Sequence, residues 1–253
     1  MIVIKKVDNY KLVEEISKEK DFIIYLGINS NDKLVSIKEV SKINENEDSS
    51  LKNQLKILKE LKLVNIIRLK VLKVLKVLQK TKENYYIISE YCNGGKLSDL
   101  LKYYHNINKT QLNEIYIQKI IRQVSSGLEF IHSKNIIHQG ITLENIAINF
   151  NKYPNEVIKG QMPPKVEYSK ITFNDSFTLK IGNMKYSKDL KDAESNNTNI
   201  DNPKNMAPEM LSNKSYNNKI DLWSLGVLTY ELLTGEKPFL GYNSNDIHNQ
   251  IME

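Results

Sequence analysis

The sequence has a single cysteine in 253 residues, Cys92, which excludes an internal disulfide framework. It also lacks a long apolar run. Lysines interrupt even the richest stretch, Leu69 to Leu78, which stops far short of the roughly 20 apolar residues that span a bilayer. The opening MIVIKKVDNYKLV has no basic start, long apolar segment and small-residue cleavage site, the signature of a secretory leader. These absences predict an intracellular, cytoplasmic protein with no membrane partner. Charge is not gathered into one block either. The formal balance of +6 comes from lysines scattered through the chain among many asparagines, which reads as a solvated surface rather than a nucleic-acid-binding face. What the sequence does have is 40% hydrophobic residues, enough at this length to fill the core of one large domain or two packed lobes.

Short apolar segments at 11–16, 22–27 and 33–40 are separated by polar clusters such as Asn29-Ser30-Asn31-Asp32, predicting a three-stranded antiparallel meander. From 50 to 63, Leu51, Leu55, Leu58 and Leu61 recur at spacings of three and four, with Ile57 widening the stripe. That is an amphipathic helix. The run from Leu69 has a period of three and is assigned as a strand with an undefined exit, and 85–91 forms the next strand. Asn93-Gly94-Gly95 then supplies turn-favouring residues and divides the chain into 1–92 and 93–253. Helical patterns follow at 97–104 and 112–132. Between Asn149 and Leu179 lies a Pro-, Lys- and Asn-rich insertion containing Met162-Pro163-Pro164, expected to be a surface excursion that ends in a strand at 177–181. The segment from Ile220 to Thr234 is apolar on most sides, with Leu222, Leu225, Tyr230 and Leu233, so it predicts a buried central helix.

Ile136 to Asn145 reads I-I-H-Q-G-I-T-L-E-N, similar to the H-R-D-L-x-x-x-N catalytic loop of protein kinases. Further matches are Val35-Ser36-Ile37-Lys38, Glu90-Tyr91-Cys92-Asn93-Gly94-Gly95, Ala207-Pro208-Glu209, Asp221-Leu222-Trp223-Ser224-Leu225-Gly226, and Gly235 with Pro238-Phe239. In order and spacing these pieces resemble a eukaryotic protein kinase of the Ser/Thr type over nearly the whole chain. The S-E-Y-C-N-G-G-K-L segment and the insertion look somewhat like autophagy-initiating or NIMA-type kinases. The resemblance implies an α+β, two-lobed fold: a β-rich N-lobe over 1–92, a helical C-lobe over 93–253, and nucleotide between them. The family continues beyond the G-helix region, where this chain stops at Glu253, so the C-lobe is expected to be incomplete and to expose apolar surface.

The chemistry-bearing positions depart from the family. Gly140 stands where the catalytic aspartate belongs, and glycine cannot accept a proton. The three glycines of the phosphate-covering loop, which let backbone amides approach the nucleotide, align with Ser17, Glu19 and Phe22. Lys38 matches the strand lysine that contacts phosphates, but its helix glutamate is replaced by Gln54, a weaker neutral partner. The D-F-G segment aligns with Asn183-Met184-Lys185. Asparagine lacks the full charge favoured by Mg²⁺, and Lys185 removes a glycine's access to positive φ. Asn145 is the remaining metal contact. The resemblance assigns adenine recognition to the backbone at Glu90 and Cys92, with Ser36 and Ala147 leaving a polar, emptier pocket. Gln139 replaces the arginine that receives an activation-loop phosphate, so Ser187, Ser195 and Thr198 are not expected to be activating phosphosites.

The scaffold positions remain: His138, Leu58, Met184, Glu209, Asp221, Trp223 and Gly226. The resemblance therefore implies a pseudokinase, with weak ATP binding, a defective Mg²⁺ site, and a protein partner such as an active kinase that it scaffolds or regulates. The alternatives are a divergent Ser/Thr kinase that recruits Glu144 or Asp189 as its acid, and a decaying gene product.

Overall fold

The computed structural model describes residues 3–19, 22–40, 45–76, 83–172, 174–192, 203–212, 214–241 and 243–253. The chain forms two compact units. The first comprises Met1–Lys62, Ile67–Asn93 and Phe150–Glu167; the second comprises Leu63–Ile66, Gly94–Asn149 and Tyr168–Glu253. Residues 63–66 and 150–167 thus group across the boundary suggested by Asn93-Gly94-Gly95. Their hydrogen bonds are the reason.

In the first unit, β1 (Lys5–Val7), β2 (Tyr10–Lys18), β3 (Phe22–Ile28), β4 (Leu34–Val40), helix α1 (Glu45–Glu60), β5 (Leu69–Lys76) and β6 (Glu83–Glu90) follow in order. Among the described residues the strands form one six-stranded sheet, ordered β1-β2-β3-β4-β6-β5 with every neighbouring pair antiparallel. The expected meander is β2, β3 and β4. The undefined exit from β5 falls at 77–82, outside the described residues. Alternation sends successive side chains to opposite faces: Tyr25, Val35, Ile37, Tyr86 and Ile88 build one apolar cluster with Val7 and Leu12. Leu26, Ile28 and Leu34 build another. Leu51, Leu55, Ile57 and Leu58 of α1 are buried, as is Leu61 just beyond it, as their spacing predicts.

Strand β1 is not foreseen by the sequence, since Lys5-Lys6-Val7 offers one apolar residue. A buried carboxylate explains it. Glu39 accepts hydrogen bonds from Lys5 Nζ at 2.6 Å, Tyr86 Oη at 2.6 Å and Asn84 Nδ2 at 2.9 Å, so β1, β4 and β6 share one polar knot. Burial pushes the Glu39 carboxyl up, but the bonds from Lys5 and Tyr86 outweigh it and hold the group below its ordinary value.

The insertion is more than a surface excursion. Asn155 O accepts from Leu34 N–H at 2.9 Å, and Val157 N–H donates to Asp32 O at 2.8 Å, while Glu156 pairs with Lys33. A short turn follows, with Ile158 bridged to Gln161 and positive φ at Lys159 (49°) and Gly160 (75°), the twist that two-residue hairpin loops require. Val157 and Met162 pack on the Leu26, Ile28 and Leu34 cluster. At its ends, Asn93 Nδ2 donates to the carbonyls of Phe150 and Tyr153, and Lys165 meets Glu14 at 2.5 Å. Two-sided backbone bonding and apolar cover make residues 150–167 a built part of the first unit.

The second unit contains α2 (Leu97–Lys102), α3 (Glu114–Ser133), β7 (Ile136–Ile137), β8 (Ile146–Phe150, whose last residue joins the first unit), β9 (Phe177–Ile181), β10 (Lys188–Asp189), α4 (Pro208–Leu211), α5 (Lys219–Thr234) and α6 (Ser244–Met252). Asn113 caps α3 by accepting from Ile115 N–H, a favoured N-terminal arrangement. Residues 63–66 join this unit because Asn65 bonds Gln123 and the carbonyl of Leu179, and Ile181 N–H donates to Asn65 O.

Helix α5 corrects an expectation. Ile220, Val227, Leu228 and Leu232 are buried, but Leu222, Tyr230 and Leu233 are 54%, 47% and 46% exposed. Apolar residues around a helix show which faces favour cover, not that cover lies nearby. Among the described residues no helix is long and apolar enough to cross a membrane.

Substituting Glu39→Ala leaves the Tyr86 hydroxyl and Asn84 amide without their acceptor and should destabilise the protein by about 1–3 kcal/mol. Because the folded carboxyl titrates below its unfolded value, its stabilisation is present above about pH 4.5 and fades as pH falls from there. Urea unfolding of wild type and variant at neutral and acidic pH measures both effects: the gap between them should narrow in acid.

Candidate functional site

The loop from His138 to Asn145 is fixed by a carboxylate in the first turn of α5. Asp221 is fully buried. Its Oδ2 accepts the His138 amide at 2.9 Å and lies 2.8 Å from His132 Nε2, and its Oδ1 accepts the Gln139 amide at 2.8 Å. Ile137, Ile141 and Leu143 anchor the loop in the core on either side of these bonds. Gln139 takes φ of +62°, an uncommon conformation for a residue with a side chain, and donates from Nε2 to the Tyr216 hydroxyl at 2.7 Å.

The bonds assign the protons of His138. The Gly140 amide donates to Nδ1 at 3.1 Å, so Nδ1 is the acceptor and Nε2 carries hydrogen, which it gives to Gly182 O at 3.0 Å. The ring is neutral. Burial pushes its pKa down, against the pull of the Asp221 charge.

Gly140 occupies the position the resemblance assigns to the catalytic base, and nothing in its backbone demands glycine. Its φ is not in the positive range. A Cβ built there would meet Asn145 Nδ2 and the His138 ring at 3.5 Å, ordinary contact. The missing carboxylate is therefore a difference in chemistry rather than a concession to loop geometry.

Asn145 and Asn183 form an amide pair. Asn145 Nδ2 donates to Gly140 O at 2.8 Å, which turns its Oδ1 towards Asn183, and Asn183 Nδ2 donates to that oxygen at 2.9 Å. The orientation follows from the network, since an amide has one acceptor end and one donor end. Asn183 itself adopts φ of 57° and ψ of 62°, a region that asparagine tolerates better than most residues. The positive φ falls here, not at Lys185, whose substitution for glycine suggested a constraint. Met184, between them, is fully buried. Among the described residues no cluster of three His, Cys, Asp or Glu could hold a metal ion. The oxygen of Asn145 is already engaged by an amide hydrogen, and both residues are neutral, so this donor set does not fit Mg²⁺, which favours carboxylate and water oxygens.

The remaining positions belong to the first unit. Lys38 sits on β4 opposite Ile24 of β3 and Ile87 of β6, and its ammonium lies 3.9 Å from the centroid of the Phe22 ring. Glu19 N–H donates to Phe22 O at 2.9 Å, an ordinary hairpin closure where the family has glycines. Ser17 pairs with Ile24 across the ladder. Gln54 is half-buried on α1 beside Leu55, and Ser36 is half-buried on β4. Glu90 exchanges two bonds with Arg68, its amide to Arg68 O and its Oε1 from Arg68 N–H. Cys92 is partly exposed and forms no disulfide.

Over residues 20–253 the chain matches the protein kinase domain family. It belongs to that family. The α+β kinase fold read from the sequence is confirmed by this match. Relatives include the serine/threonine-protein kinase unc-51 of Caenorhabditis elegans, 31% identical over 86% of this chain and 23% of its own length. The serine/threonine-protein kinase ATG1 of Kluyveromyces marxianus is 30% identical over 96% of this chain and 31% of its own. A third, atg1 of Aspergillus oryzae, is 27% identical over 97% of this chain and 28% of its own. The chain spans about a quarter to a third of the length of these relatives.

Within the family frame, the structure brings Gly140, His138, Asn145 and Asn183 into one hydrogen-bonded loop system. Sequence reasoning missed the amide pair and the Phe22 contact with Lys38. Neither has a sequence signal beyond residue type, because each depends on which way a side chain turns. Ser187, excluded as a phosphosite on the loss of its cationic receptor, is buried, with its hydroxyl on His138 O; Ser195 and Thr198 lie outside the described residues.

A neutral buried histidine gives a testable pH dependence. With the folded pKa depressed, its stabilisation is complete above the unfolded value near 6.5 and is lost as pH falls below it. Thermal unfolding between about pH 7 and pH 5 should show a steeper loss for wild type than for His138→Gln, and equal slopes would remove His138 from this role.

Proposed function

We propose that this chain is a non-catalytic protein-kinase-like domain that acts by binding, as a scaffold or allosteric regulator of an active kinase. One observation carries the reading: the loop that frames the reaction is held by its bonds to Asp221 and Gly182, while the position of its base is Gly140, where a Cβ would meet only ordinary contacts and no side chain is present. A positioned general base contributes roughly 10²–10⁴ in rate, and charge stabilisation by metal and lysine usually contributes more. Here both are diminished, with Asn183 and Asn145 joined to each other and Lys38 covered by Phe22.

The substitute acids weighed for an active enzyme are poorly placed. Glu144 is exposed in a short helical turn, and Asp189 accepts the Lys191 amide as a turn cap. The kinases it resembles use ATP and Mg²⁺. For this chain, the backbone at Glu90 and Cys92 together with Lys38 supports weak, metal-independent nucleotide binding, with the partner interaction as the principal activity.

Transfer of radiolabelled phosphate from ATP to a generic protein substrate tests the proposal. The expected result is no Lys38-dependent transfer by wild type, even with Mg²⁺ or Mn²⁺. Transfer that disappears in Lys38→Ala would establish a divergent kinase and end the non-catalytic reading.

A further inference from the structure

Leu222, Gly226, Tyr230 and Leu233 of α5 are all exposed, and their spacings of four, four and three align them as one stripe on a helix with 3.6 residues per turn. Thr229 borders the stripe with its hydroxyl donated back to the Leu225 carbonyl at 2.7 Å, so it adds a methyl group rather than a polar demand. In the middle of the stripe, a Cβ on Gly226 would meet nothing within 4 Å among the described residues, and its φ is not in the positive range. The missing side chain leaves a notch between Leu222 and Tyr230 where another backbone can approach closely. The stripe is also self-complementary. Gly226 lies midway between Leu222 and Tyr230, so a two-fold axis beside it sets Leu222 of one copy against Tyr230 of the other, twice, in an antiparallel pair. The same operation lays the exposed Lys219 of one copy along Leu233 of the other, with its ammonium at the last turn of that helix. That end carries the negative pole of the helix dipole and, just past the Gly235 cap, the exposed carboxylate of Glu236. A parallel pair would instead bring like ends together.

We propose that the exposed face of α5 is a homodimer interface, covered by the same face of a second copy across a two-fold axis at Gly226. Pairing buries an apolar stripe that a monomer leaves in water, and an isologous contact closes on itself instead of growing into a filament. The helix of 16 residues is about 24 Å long, so the contact falls at the small end of specific interfaces, and self-association is expected at micromolar concentration. The inference is independent of whether the chain transfers phosphate, and it leaves any regulated kinase to another surface.

Sedimentation velocity of the purified chain from low to high micromolar concentration tests the proposal, and wild type should pass from monomer to dimer without larger species. Tyr230→Lys should weaken the dimer about tenfold or more, because the symmetric pair then buries an unpaired ammonium against Leu222 twice. Lys219→Glu and Glu236→Lys should each weaken it about two- to tenfold, the worth of two exposed ion pairs, and the double variant should recover most of that loss. Lys219 and Glu236 are exposed, so the charge variants serve if Tyr230→Lys fails to fold. A wild-type chain that stays monomeric throughout, or a dimer that Tyr230→Lys leaves intact, would overturn the interface. Dimerisation lost in Tyr230→Lys but not recovered by the charge exchange would overturn the antiparallel pairing about Gly226.

Discussion

Two backbone amides, those of His138 and Gln139, and the imidazole of His132 all converge on the carboxylate of Asp221. A fully buried carboxylate without partners would cost several kcal/mol, and with one partner removed it would strongly destabilise the fold. Its three contacts therefore have to be kept together, and keeping them fixes the course of the whole loop. His138 is then placed to bond Gly182, the Gly140 amide closes on His138, and Asn145 closes on Gly140. The loop's shape depends on interactions that belong to folding, so it persists whether or not a base occupies position 140.

The positions that differ from the family share a physical theme: charge has been replaced by neutrality or by internal satisfaction. A carboxylate is replaced by glycine at 140 and by an amide at 183, and the amide bonds to Asn145 rather than waiting for a cation. The ammonium of Lys38 meets an aromatic face. Repulsion among carboxylates that a metal would normally offset does not arise here, so this loop system is stable without a cation.

Much of the fold was legible in the sequence because it rests on periodicity. Leu51, Leu55, Leu58 and Leu61 repeat at helical spacing and are buried, and the meander's alternation placed β2 to β4. What was illegible depends on partners distant in sequence. Strand β1 forms because Lys5 finds Glu39, 34 residues away. Residues 150–167 look like a loop by composition but bond the turn between β3 and β4, at Asp32 and Leu34, through backbone groups that any residue could supply. The buried face of α5 could not be told from its exposed face, because Leu222 and Leu228 look alike until the neighbouring elements are in place. At the site, residue identity showed which charges were missing, while the Asn145–Asn183 and Lys38–Phe22 contacts that replace them needed side-chain directions.

Thermal unfolding of the purified chain with ATP, with Mg²⁺ and with both most directly tests whether the site has lost its metal-dependent function. A ligand at about 100 times its dissociation constant adds roughly 2.7 kcal/mol, a rise of about 5–11 °C for a chain of this size. The neutral amide pair predicts that Mg²⁺ adds nothing to whatever shift ATP produces alone. A shift of that size requiring both ligands together would contradict it and return the chain to the metal-dependent kinases.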